Sequence, residues 1–207
     1  MFDIIYILTN DSMPGLIKIG YTTTSINQRI RELDTTPVPL PFQCYFAARV
    51  ENGIMVERKL HTAFGDFRLR SNREFFRLDP HRAKAAIELV ALEDITPRDD
   101  VTTNPEDEAA LVKAKQRRGF FRFSRAEIAP GALLTFARDE RITATVLSDR
   151  DIVFEGQETS LSAAAHTIMQ RLGYTWSAVA GPDLWLYDGE TLSERRRRFE
   201  EDVSSEI

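Results

Sequence analysis

Ile4-Ile5-Tyr6-Ile7-Leu8, then Thr9-Asn10-Asp11-Ser12-Met13-Pro14-Gly15, then Leu16-Ile17-Lys18-Ile19-Gly20, sets two short apolar runs around a polar turn. The runs are too short for buried helices, rich in Ile, and bounded by Asn, Asp, Pro and Gly, which predicts a β-hairpin. After Thr22-Thr23-Thr24, Ser25 is a good N-cap, and Ile26, Ile30 and Leu33 recur at helical spacing. The hairpin therefore feeds a helix that carries Arg29 and Arg31. Two residues sit oddly in the hairpin. Tyr6 interrupts an aliphatic strand, and Lys18 breaks its partner. Aligning the runs across the turn brings both toward one face. A Lys in an Ile-rich strand is costly to bury without a partner or a task; the plainer reading is an edge strand with one solvated Lys.

Working outward, residues 35–41 are rich in Thr and Pro and form a loop. Residues 42–50 are an apolar third strand, ended by Asn52-Gly53. A helix over 53–64 follows, with Ile54, Val56, Leu60 and Phe64 as its packed positions. Glu57 and His61 lie four apart on it and share a face, as a solvent-exposed polar edge or as part of a site. Asn72-Arg73-Glu74-Phe75-Phe76 places Phe75 or Phe76 in the core, and it resembles the closing strand of the phage-orf-type branch of the GIY-YIG nucleases. Glu74 orients Lys18, Arg29 or His61, supports a metal, or makes a surface ion pair. Asp79-Pro80 starts a helix that packs through Ala83, Ile87 and Val90 to about residue 92.

As a set, these motifs resemble the GIY-YIG nuclease superfamily over residues 3–92. The first signature falls on Ile4-Ile5-Tyr6 and the second on Lys18-Ile19-Gly20. The resemblance is strongest to the phage-orf-type branch, through Tyr6-Ile7-Leu8, Ser12-Met13-Pro14-Gly15, Lys18-Ile19-Gly20 and Tyr21-Thr22-Thr23. Ile4 stands where the superfamily has its first Gly, and Lys18 where it has its second Tyr. The second change is usual in this branch. The resemblance implies a small antiparallel sheet flanked by helices and a metal-dependent endonuclease. It implies Tyr6, Lys18, Arg29 and His61 as catalytic residues and Glu57, on a Val56-Glu57-Arg58-Lys59-Leu60-His61 helix, as the ligand of Mg2+ or Mn2+. Glu74 and Gly20 support them. A guanidinium suits phosphate because its planar donors match the oxygens. One carboxylate with waters and substrate phosphate suits Mg2+. The phenol of Tyr6 would need Lys18 and the metal to lower its pKa before it could take a proton from water.

Charge is unevenly distributed. Residues 1–93 hold 12 basic and 11 acidic side chains, 94–112 hold 1 and 6, and 113–207 hold 14 and 15. A net charge of −5 gives no global case for nucleic-acid binding, so a nuclease here needs a local basic face. The single Cys44 excludes an internal disulfide and a cysteine-rich zinc site. No run is apolar enough to span a bilayer, and no basic region followed by an apolar core opens the chain. The expectation is a soluble, cytoplasmic protein.

Residues 93–112 read as an acidic linker. From 113 the pattern restarts. Lys113, Lys115, Arg117 and Arg118 stand beside Phe120, Phe121 and Phe123, either a nucleic-acid-binding cluster or the first strand of a small β domain. A turn at Ala129-Pro130-Gly131, strands at 133–136, 143–147 and 152–154, and a helix over 160–172 with Ala163, Ala164, Ile168 and Leu172 inside follow. Leu184-Trp185-Leu186 closes the domain, with Trp176 and Trp185 as core residues. The Pro130-Gly131 turn, Ser160-Leu161-Ser162-Ala163-Ala164-Ala165, Trp176 and Gly189-Glu190-Thr191-Leu192 resemble the RAMA family found with restriction enzymes and adenine methylases. That resemblance implies recognition of DNA, modified DNA included. Residues 193–207 form a charged tail, Arg195-Arg196-Arg197-Arg198 before Glu200-Glu201-Asp202, as a frayed, charge-paired helix or a phosphate-binding patch.

The expected fold class is α+β in both domains: a nuclease-like domain over 1–92 and a DNA-recognition domain over 113–192. The expected function is phosphodiester hydrolysis in DNA within restriction or phage defence, with DNA as substrate, other defence or restriction proteins as partners, and no membrane. The alternative from another class is a catalytically silent DNA-binding or modification-sensing protein.

Overall fold

The computed structural model describes residues 2–35, 38–99, 105–117, 120–176 and 179–205. The chain is α+β and divides into two units, residues 1–116 and 117–207.

In the first unit, β1 (Asp3–Thr9) and β2 (Leu16–Thr22) form the expected hairpin. Its turn is tied by the Met13 amide to the Asn10 carbonyl at 2.9 Å and by the Ser12 amide to Asn10 Oδ1 at 2.8 Å. β3 (Gln43–Val50), β4 (Phe75–Arg77) and β5 (Glu93–Asp94) complete an antiparallel sheet in the order β4-β2-β1-β3-β5. Strand alternation gives this sheet two buried faces. Tyr6 and Leu8 of β1 join Cys44 and Ala47 of β3 on one face, beneath α1 (Ile26–Leu33) through Ile26 and Ile30. Ile5 and Ile7 join Ile17, Ile19 and Phe46 on the other. There they meet Val56 and Leu60 of α2 (Gly53–Ala63) and Ala83 and Ile87 of α3 (Pro80–Glu88). Phe76 is the aromatic of the closing strand that enters this core.

Three expectations need correction in this unit. Ile54 is 59% exposed, because Gly53, Val56 and Leu60 already supply the buried stripe of α2. Val90 is exposed because α3 ends at Glu88. Glu93 and Asp94, expected in the linker, are β5. They pair with Arg49 and Ala48, and the next residues continue the seal: the Ile95 amide donates to the Ala47 carbonyl at 2.9 Å and the Ala47 amide to Thr96 Oγ1 at 3.1 Å. Backbone pairing along β3 outweighs the polar side chains of this segment. Residues 105–112 of the expected linker belong to helix α4 (Pro105–Arg117), while 100–104 lie outside the described residues.

The second unit contains β6 (Leu133–Phe136), β7 (Asp139–Val146), β8 (Asp151–Phe154), β9 (Gln157–Ser160), β10 (Trp185–Tyr187) and β11 (Glu190–Thr191). They pair antiparallel in the order β11-β10-β6-β7-β8-β9. α5 (Leu161–Arg171) buries Leu161, Ala164, Ala165, Ile168 and Met169, capped by Ser160. Ala163, expected inside, faces out. The helix α6 (Gly181–Leu184) packs against the start of α5. A Cβ on Gly181 would lie 2.5 Å from the Ser162 amide nitrogen, so only glycine allows that approach. Trp185 is core, edge-on to Phe136 at 5.2 Å, and its indole N–H donates to the Leu161 carbonyl at 3.0 Å. Trp176 is half-buried against Tyr174.

The strand expected near residues 120–123 is a 3-10 turn, Phe123–Ala126. It buries Phe121 and Phe123 but leaves Phe120 82% exposed. Of the adjoining basic cluster, Arg118 and the side chains of Lys115 and Arg117 lie outside the described residues. The tail is helix α7 (Leu192–Ser205), and it docks rather than frays at its start. Leu192 is fully buried, and Arg195 Nε donates to the Ala126 carbonyl at 2.7 Å. Arg197 pairs with Glu194 at helical spacing, whereas Arg195 and Arg198 both reach Glu190, outside the helix. No helix among the described residues is long and apolar enough to cross a membrane.

Candidate active site

The site begins with a defect in strand pairing. β4 pairs with Leu16, Ile17 and Lys18 of β2, and the Ile19 amide still reaches the Glu74 carbonyl at 3.2 Å. Beyond that point no strand among the described residues lies beside the edge of β2. Helix α2 supplies what is missing. His61 Nε2 donates to the Ile19 carbonyl at 3.0 Å, and Glu57 lies against the Tyr21 backbone amide. Four residues of helix rise about 6 Å, and two residues of strand about 6.8 Å. A Glu–His pair four apart therefore matches a strand's repeat of two, which explains why this pair can cover that edge.

The start of α2 is pinned to β1. Asn52 Oδ1 accepts the Met55 amide at 2.9 Å, and Asp3 Oδ2 accepts the Gly53 amide at 2.8 Å. A Cβ on Gly53 would lie 2.8 Å from the Asp3 Cβ and 3.0 Å from the Tyr21 ring. Both caps satisfy orphan helix donors one turn before Glu57.

From the opposite face of the sheet come Tyr6 and Arg29. Tyr6 pairs with Gly20 and Lys18 with Leu8, so Tyr6 and Lys18 share a face, diagonally placed. The Tyr6 ring lies directly over Gly20, where a Cβ would stand 2.5 Å from its Oη. Ser25 caps α1 through the Gln28 amide, and Arg29, one turn into the helix, donates from Nε to Tyr6 Oη at 3.2 Å. Arg29 Nη1 also holds Glu32 at 3.3 Å.

Tyr6, Arg29, Glu57 and Glu74 line one cleft of about 270 Å3. Tyr21, Thr22 and Thr23 complete its wall. These three were not singled out as site residues. The signal available was their place directly after Lys18-Ile19-Gly20 in the quoted signature. Lys18 and His61 do not line the cleft. Lys18 is 6% exposed, and its ammonium is taken by Glu74, with the Phe75 ring 5.7 Å away. His61 is committed to the backbone of β2 and to the Phe76 ring at 5.0 Å. Gly20 contributes space and no functional group.

Burial dominates the electrostatics. It raises the Tyr6 phenol above its ordinary value, and the Arg29 hydrogen bond opposes this without reversing it. The expected helper, Lys18, does not reach the phenol because Glu74 holds it. Burial, and then the nearby Glu74 carboxylate, push Glu57 upward, while the Tyr21 amide pulls it down. Burial also lowers His61, against the backbone bond to Ile19. Glu57 makes no ion pair among the described residues. No group of three His, Cys, Asp or Glu side chains that could cage a metal occurs among them either. A half-buried carboxylate facing a second carboxylate across an open polar cleft suits a hard divalent cation that keeps most of its waters.

The cleft thus has the ingredients of phosphoryl chemistry: a phenol, a guanidinium and a carboxylate held at one opened sheet edge. Residues 3–91 match the T5orf172 domain. That match spans β1 to β4 and the helices α1, α2 and α3, stops short of β5, and includes every residue named in the cleft. No curated protein and no solved structure matches the chain.

Proposed function

We propose that residues 3–91 form a divalent-metal-dependent DNA endonuclease, and that residues 117–192 recognise DNA for it, in restriction or phage defence. One observation carries the nuclease reading: Tyr6 of β1, Arg29 of α1, Glu57 of α2 and Glu74, just before β4, meet in one cleft of a domain of the T5orf172 type. Arg29 holds the phosphoryl oxygens, where fixed donors stabilise the charge that grows on the phosphorus centre. Tyr6, as the phenolate, takes the proton of the attacking water. Glu57 would hold Mg2+ or Mn2+, which supplies positive charge that favours the phenolate and stabilises the leaving 3′ oxygen. Glu74 fixes the Lys18 ammonium at the border of the cleft, and His61 fixes the register of α2 on β2 and so the position of Glu57. The resemblance of residues 117–192 to RAMA domains supports the second half of the proposal.

The test is cleavage of supercoiled plasmid by wild type, Tyr6→Phe and Glu57→Ala, with Mg2+, Mn2+ or EDTA, on methylated and unmethylated DNA. Metal-dependent nicking lost in both variants is the expected result, and a methylation difference would point to the second unit. Metal-independent DNA binding without cleavage, unchanged in Glu57→Ala, would instead establish the catalytically silent reading.

A further inference from the structure

Between α2 and β4 the chain makes a second, smaller hairpin. Arg68 bridges to Phe76, the Leu69 amide donates to the Phe75 carbonyl at 3.0 Å, and the Arg73 amide donates to the Arg70 carbonyl at 3.0 Å. That last bond closes a four-residue turn, so the Cα atoms of Arg70 and Arg73 stand within about 7 Å. Residues 69–73 are all exposed. Arg68 is the root of the hairpin. Its Nε donates to the Arg73 carbonyl at 2.6 Å and its guanidinium lies 5.7 Å from the centre of the Phe76 ring.

Arg68, Arg70 and Arg73 make no ion pair among the described residues. Several other surface arginines are neutralised: Arg49 by Glu93, Arg122 by Asp149, Arg141 by Asp139 and Arg171 by Glu155. The hairpin is also continuous with the cleft. Glu74 follows Arg73 directly and lines it, and Arg68 acts electrostatically on His61, one helical turn from Glu57. Within residues 66–76 the acidic side chains are Asp66, before the hairpin, and Glu74, which is turned to Lys18. The turn thus carries two exposed guanidinium groups, Arg70 and Arg73, with no ion pair among the described residues, and Glu74 of the cleft wall follows them directly.

We infer that the hairpin over residues 68–76 grips the sugar–phosphate backbone of duplex DNA beside the scissile bond, through Arg70 and Arg73, with Arg68 stiffening the turn. The inference rests on the nuclease reading and adds the surface that carries the substrate. Guanidinium donors at a rigid turn contact phosphate oxygens without reading bases, so the contribution is independent of sequence and released by salt.

The experiment measures binding of the full-length chain to 25-base-pair duplexes by fluorescence anisotropy, in EDTA and in a Glu57→Ala background, from 50 to 200 mM NaCl. Each arginine that neutralises one phosphate accounts for about 0.9 in the slope of log affinity against log salt. Arg70→Gln/Arg73→Gln should therefore lower the slope by about 1.8, equally on unrelated sequences. Arg49→Gln, which removes the same kind of charge on β3, two strands away from β2, should leave it unchanged. A double variant whose slope equals that of the Arg49→Gln control, on a parent that binds DNA, overturns the hairpin assignment and leaves the nuclease reading standing. A parent with no salt-dependent DNA binding overturns both. Preferential capture of poly-glutamate through the same two arginines overturns the assignment in favour of an acidic protein partner.

Discussion

Replacing Gly20 with alanine should strike the phenol of the site through packing alone. The new Cβ would stand 2.5 Å from Tyr6 Oη and 2.7 Å from Cζ, about 1 Å inside the optimal separation. Tyr6 has nowhere to go: its ring is fully buried with Leu8, Ile26, Ile30 and Ala47, and Arg29 holds its oxygen. Overpacking of this kind costs about 1–3 kcal/mol. Removing a glycine from a strand returns about 0.5–1 kcal/mol, so the net loss is about 0–2.5 kcal/mol by these two figures. Urea denaturation followed by far-ultraviolet circular dichroism measures it, with an unchanged m-value as the sign that only stability moved. Tyr6→Phe alone loses the Arg29 hydrogen bond, about 0.5–1.5 kcal/mol. Combined with Gly20→Ala it removes the nearest clashing atom, so the double variant should be more stable than the sum of the two losses by about 0.5 kcal/mol or more. Strict additivity, or a Gly20→Ala protein more stable than wild type, would refute the close approach of ring to strand.

Lys18→Met and Glu74→Ala should differ although they break the same pair. Methionine removes a charge that is 6% exposed, and the half-exposed Glu74 then turns to water, so stability should change by less than about 1 kcal/mol. Glu74→Ala strands the buried ammonium and should cost about 1–3 kcal/mol; equal losses in chemical denaturation would contradict the asymmetry. Glu57 gives a pH signature. Its folded-state pKa lies above the ordinary 4.5, so between the two values the native chain binds more protons than the unfolded one. Its contribution is most favourable below about 4.5 and is lost as pH rises through the folded value. Glu57→Gln should therefore melt higher than wild type at pH 8, with the difference shrinking toward pH 4. A gain of equal size at both pH values would show that burial of the charge is not its source.

The first hairpin and the capped helix after it were readable because their signals are local. Ile-rich runs of five residues, a Pro-Gly turn, and Ser25 one residue before a helical stripe each act within a few residues. The same holds for Ser160 before α5 and Asp79-Pro80 before α3. β5 was missed because Glu93 and Asp94 are strand only through their backbones, on the free edge of β3. β10 and β11 were missed because they are three and two residues long and exist only as additions to β6. The 3-10 turn at Phe123–Ala126 defeated periodicity, since an aromatic run looks alike whether it pairs as a strand or plugs a core as a turn.

Within the candidate site, sequence alone determined the residue types and the elements that carry them: Tyr6 on a strand, Arg29 a turn into a capped helix, Glu57 and His61 on one helical face. It also placed Tyr6 and Lys18 on a common face, because alternation and a short turn fix hairpin register. Only the tertiary structure decided which side chains meet. It sent Lys18 to Glu74 and His61 to the Ile19 carbonyl, and it brought Tyr21, Thr22 and Thr23 into the cleft. The reason is that β4 stops at Lys18 and leaves the edge of β2 open. Where a partner strand ends, and what reaches across the gap, depends on packing between residues far apart in the chain, and no local pattern encodes it.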